Sequence, residues 1–84
     1  MGKTYKEPIE ESEKETTINV LYGENCLAIY TNKAELQKQL CKIFGEPNKE
    51  HKKGKSILGS TWIVSLDEKS KITKMMLQAN IFEL

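Results

Sequence analysis

Apolar and polar residues alternate along two stretches of this chain, and a helical stripe lies between them. Thr16 to Tyr22 sets Ile18, Val20 and Tyr22 on one side and Thr17, Asn19 and Leu21 on the other. Period two with β-branched residues predicts a half-buried strand. Gly23-Glu24-Asn25 predicts a tight connection, because Gly and Asn tolerate positive φ. Cys26 to Tyr30 is the predicted return strand, with Leu27 and Ile29 joining the face of Ile18 and Val20. The period then changes. Leu36, Leu40, Ile43 and Phe44 recur at helical spacing, with Lys33, Gln37, Lys38 and Lys42 expected to face water. Asn32 is the predicted N-cap and Glu35 completes the capping-box spacing. Gly45 and Pro47 predict the stop.

Alternation returns from Ile57 to Leu66. Trp62, Val64 and Leu66 share one face; Thr61, Ile63 and Ser65 share the other; Gly59 predicts a bulge or bend near the start. Asp67 or Ser70 is expected to cap a final helix with Ile72, Met75 and Met76 at i, i+3, i+4. An apolar tail, Ile81-Phe82-Glu83-Leu84, follows. Two segments lack any period. Residues 1–15 hold lysine, glutamate, Pro8 and a lone Ile9, and are expected to be a disordered charged tail. Asn48 to Ser56 has no apolar residue and is expected to be an exposed loop. The order β-β-α-β-α predicts a single small α+β domain over 16–84. It is a two-layer sandwich, a three-stranded sheet with the capped helix packed on one face.

Composition narrows the function classes. The chain has 84 residues and a net charge of +1, so its overall field favours neither nucleic acid nor membrane. All 13 basic residues are lysine, which counts against base-specific DNA reading, where arginine forks are preferred. No apolar run approaches the roughly 20 residues that span a bilayer, and no secretory h-region opens the chain. A cytoplasmic protein without membrane association is expected. Cys26 and Cys41 are not in CxxC spacing and His51 is the single histidine, so no metal site is predicted. Both cysteines are expected to be reduced and half-buried.

The run YTN, LQKQL, GEP and STWIV resembles short uncharacterised proteins of low-GC Gram-positive bacteria, many of them encoded by phage or mobile elements. The resemblance spans roughly residues 16–76. It implies the same strand, Thr-Asn helix start, Gly-Glu-Pro stop and Trp-containing strand. It brings no activity and no functional residue.

Catalytic and ligand-binding patterns are weak throughout. Gly54-Lys55-Ser56 matches the end of a P-loop, but Lys49 stands where the opening glycine belongs, and a strand-like run follows instead of a helix. His51 lies among lysines with no rigid nucleophile or carboxylate partner. No catalytic residue, cofactor site or small-molecule ligand is predicted, and the chain is expected not to be an enzyme.

Two surfaces remain as candidates. Leu21, Cys26, Ala28, Tyr30 and Ile63 make the second sheet face too apolar for free solvent. It is covered either by the chain's own C-terminal segment or by a protein partner or second copy. Leu21, Tyr30, Ile63, Ile81 and Phe82 are the interface candidates. Lys49, Lys52, Lys53 and Lys55 could instead contact phosphates without reading sequence. The expected function is a small protein-interaction module, an accessory or inhibitor protein of a mobile element. The alternative is a weak nucleic-acid-binding protein.

Overall fold

A computed structural model describes residues 3–68, 70 and 71. One helix packs against a mixed sheet of five strands. The strands are β1 (Thr4–Tyr5), β2 (Thr16–Leu21), β3 (Cys26–Thr31), β4 (Lys49–Lys53) and β5 (Ser56–Ser65); α1 is Ala34–Phe44. The α+β class expected from the pattern holds, but the sheet has five strands where three were expected. The last predicted helix and the Ile81–Leu84 tail lie outside the described residues, apart from a 3-10 turn at Leu66–Glu68 and helical Ser70 and Lys71.

β5 is the central strand. Its C-terminal part pairs antiparallel with β3, from Ser60 against Thr31 to Ser65 against Cys26. β3 pairs in turn with β2. The opposite edge of β5 pairs with β4. Beyond the end of β3, Thr4 and Tyr5 pair parallel with Ser56 and Ile57, and Lys6 donates its N–H to the Ile57 carbonyl at 2.9 Å.

The predicted helix-facing surface is largely the observed one. Leu27, Ile29, Trp62 and Val64 meet Leu36 and Leu40 in a buried cluster, with Ile18, Cys41, Phe44 and Leu66 against its margin. Val20 departs from the expectation and is 41% exposed. It sits in the last rows of the outermost strand, while α1, eleven residues or about 16 Å long, lies over the middle of the sheet. Tyr22 leaves the strand altogether and joins a 3-10 turn that ends on Asn25 in the left-handed region. Gln37 corrects a second expectation. It is fully buried, not solvated, and its Oε1 accepts a hydrogen bond from Ser60 Oγ at 2.6 Å. Thr16 and Thr31 share a hydroxyl–hydroxyl bond in the same row, so one end of the core is polar.

The start of α1 differs from the predicted capping box. Asn32 does not cap. Its side chain bridges to the N-terminal segment, accepting from Glu15 N and donating to the Glu13 carbonyl. Thr31 Oγ1 accepts from Lys33 N, and Glu7 Oε1 accepts from Ala34 N. A carboxylate there also suits the positive end of the helix. The helix stops at Gly45 as predicted, with φ +85°. Its carbonyl accepts the Trp62 indole N–H at 3.0 Å, which ties the helix end to β5.

Residues 48–56, expected as a loop, form an antiparallel hairpin. Lys53 pairs with Ser56 around the two-residue turn Gly54-Lys55, and Gly54 has φ +63°. A first turn residue at positive φ suits the hairpin turns that match strand twist, and glycine adopts it without strain. β4 holds no apolar residue, and its lysines suit an unpaired outer edge, so periodicity gives no signal there. The bulge foreseen near Gly59 is present: His51 pairs with Gly59 and Lys52 with Ile57, leaving Leu58 as the extra residue.

Residues 3–15 lie along this framework. Besides β1, they make a 3-10 turn at Glu11–Glu13. Lys3 bonds to both Glu46 and Glu50. Burial opposes the charge on Lys3, but the two carboxylates outweigh it and raise its pKa.

Candidate interaction surface

Strand register sets the second face row by row. Leu21, Cys26 and Ser65 form one row, Asn19, Ala28 and Ile63 the next, and Thr17, Tyr30 and Thr61 the third. The structure therefore brings Leu21, Tyr30 and Ile63 together on the face opposite α1, as predicted. Their environments differ. Ile63 is 43% exposed in the middle of the sheet. Leu21 and Tyr30 are half-buried, and Cys26 is buried. Ile81 and Phe82 lie outside the described residues.

Tyr30 is held by its neighbours. A Cβ on Gly59 would stand 2.6 Å from the Tyr30 hydroxyl and 2.9 Å from its ring, so the ring occupies the space a side chain would need. His51 meets the ring edge-on, with centroids 5.7 Å apart. Burial, and then the charge of Glu15, pushes the phenol pKa up. On its other side Tyr30 forms the wall of an open cleft of about 520 Å3 under the N-terminal segment, with Pro8, Ile9, Leu58 and Asn32. Tyr30 therefore packs more than it projects. The loss of side chain at Gly59 was a visible signal in the sequence; the partner that required it was not.

Lys49, Lys52, Lys53 and Lys55 are all exposed on the β4–β5 hairpin. Lys52 lies 3.6 Å from Glu50, whose carboxylate Lys3 also engages. That contact with Lys3 holds Glu50 below the usual carboxylate range against the opposing effect of burial, with Lys52 adding to it. Gly54-Lys55-Ser56 turns a hairpin into a strand, so it lacks the strand-to-helix setting of a P-loop. His51 touches Tyr30.

Among the described residues, no three His, Cys, Asp or Glu side chains gather where a metal could sit. Cys26 and Cys41 are free. No helix among them is long and apolar enough to cross a membrane. Comparison with family models, curated proteins and solved structures finds no match.

Proposed function

We propose that this chain is a small non-enzymatic interaction module that binds a protein through the sheet face opposite α1. The observation that carries the proposal is Ile63. It is 43% exposed at the centre of a sheet face, beside Ala28 in its own row, with Tyr30 on the neighbouring strand one row away and Leu21 on the far strand of the same face. A large aliphatic side chain on such a platform is the anchor pattern of a binding surface. An accessory or inhibitor protein of a mobile element, working in the cytoplasm, is the setting that fits the resemblance. The test is affinity capture with the wild type and with Ile63→Lys. A partner retained by the first and lost by the second, at equal melting temperature, supports the proposal. Equal capture by both removes this face from the function.

A second proposal rests on the hairpin, where four exposed ammonium groups share one edge of the molecule. Four phosphate contacts would give a salt slope of about −3.6, a loss of roughly a hundredfold between 50 and 200 mM salt. A gel-shift titration at those two concentrations with duplex and single-stranded DNA decides it. No retardation at the lower salt sinks this alternative.

A further inference from the structure

Two of the sheet's outer edges, β4 and β2, carry opposite chemistry. β4 presents exposed Lys49, Lys52 and Lys53, the charge that natural sheets use to keep an edge from pairing. β2 reads Thr-Thr-Ile-Asn-Val-Leu, with no charge, no proline and no bulge. Among the described residues nothing pairs with its outer side.

The phase of that edge follows from two hydrogen bonds. Asn32 accepts the Glu15 N–H on its side-chain Oδ1 and donates its own N–H to the Glu15 carbonyl, so both backbone groups of Glu15 point towards Asn32, as in a hydrogen-bonded pair. Such pairs alternate along an antiparallel ladder. Thr17 with Tyr30, Asn19 with Ala28 and Leu21 with Cys26 therefore bond inward. Thr16, Ile18 and Val20 direct their N–H and C=O groups outward.

We infer that β2 pairs antiparallel with β2 of a second copy of this chain, about a two-fold axis at Ile18, and joins the two sheets into one. In that register Ile18 faces the partner copy's equivalent strand centre, and Thr16 and Val20 exchange places across the axis. Every outward N–H and C=O of the three residues gains a partner. The side chains match as well. Ile18 and Val20 continue the helix-covered face of one molecule into that of the other, and the exposed Val20 is covered. Thr17 and Asn19 meet their uncharged counterparts on the opposite face. A C2 interface must be self-complementary, and an uncharged strand that is apolar on one side and neutral-polar on the other meets that condition. The net charge of +1 does not oppose it.

The inference is independent of the open-face proposal, and one experiment separates the two. Sedimentation equilibrium is run on the full chain as wild type, Val20→Lys and Ile63→Lys, with circular dichroism on each. The expected result is a wild-type dimer, retained by Ile63→Lys. Val20→Lys, which puts a charge on the shared face beside the partner copy's Thr16 and Ile18, raises the dimer dissociation constant by about a hundredfold or more at unchanged helix and strand content. Amide exchange on the wild type covers the case in which Val20→Lys does not fold. The Thr16, Ile18 and Val20 amides should be protected, and protection should fall on dilution. A wild type that stays monomeric at millimolar concentration overturns the inference. So does a dimer lost with Ile63→Lys and kept with Val20→Lys, or amides protected equally at every concentration, which would mean that the chain covers its own edge.

Discussion

Gly59 lacks a side chain where Tyr30 fills the space above the strand, and the two residues behave as one unit. A methyl at Gly59 would meet the ring at 2.6–2.9 Å, well inside van der Waals distance. The ring could swing aside, but His51 stands at its edge, 5.7 Å between centroids. Gly59→Ala is therefore expected to cost about 1–3 kcal/mol, the usual range for overpacking. In a Tyr30→Ala background the same substitution should cost much less, because the obstructing ring is gone. Urea denaturation of the four proteins in the cycle gives the coupling. Additive costs would mean that the ring and Gly59 do not compete for space. Gln37 tells a related story about legibility. Its position on the helical wheel suggests a solvated face, yet it is buried against Ser60, and its Nε2 has no hydrogen-bond partner among the described residues. A glutamine gives no sign in the sequence that a serine on a distant strand will receive it.

Elements were legible where burial imposes a period. β2, β3, α1 and the C-terminal part of β5 each bury one face, so the alternation of Ile18, Leu27, Ile29, Trp62 and Val64 and the Leu36–Leu40 stripe could be read directly. β4 buries no apolar face and β1 is two residues long, so neither leaves a periodic trace. The N-terminal segment was hidden for the same reason: its links to the fold are polar and distant. Glu7 reaches Ala34, and Asn32 reaches Glu13 and Glu15. The α1 start is thus completed from residues up to 27 positions away. Helix caps contribute about 1 kcal/mol each. Glu7→Gln should keep an acceptor and weaken the helix start slightly; Asn32→Ala removes two bonds and should cost more. Removal of residues 1–8 deletes the Glu7 cap, β1 and the Lys3 ion pairs together, and a clear drop in the urea midpoint is expected. An unchanged midpoint would mean that residues 3–8 add no net stability, whatever bonds they make.

At the scale of the whole molecule, one helix covers one sheet face among the described residues, and the core they form is small. Leu27, Ile29, Leu36, Leu40, Trp62 and Val64 are its buried centre. A single core of this size rarely supplies more than about 3–5 kcal/mol. Leu40 is fully buried in the middle of α1, between the cap at Glu7 and the Trp62 bond to Gly45. Neither tether can draw the helix closer to the sheet when its central side chain is cut back, so a cavity should remain. Leu40→Ala is then expected to cost about 2–5 kcal/mol, comparable to the whole stability of the domain. The variant should be substantially unfolded at room temperature. Cys26 offers a direct readout, because it is free and buried on the opposite face of the sheet from Leu40. A thiol reagent should label it slowly in the wild type and faster in Leu40→Ala, in proportion to the open population. Cys41, half-buried and on α1 itself, reports local loosening of the helix. Faster labelling at both sites means that helix and sheet open as one cooperative unit. If Cys41 alone accelerates while Cys26 and the melting temperature stay unchanged, the sheet holds without its helix, and the core between them is not what stabilises it.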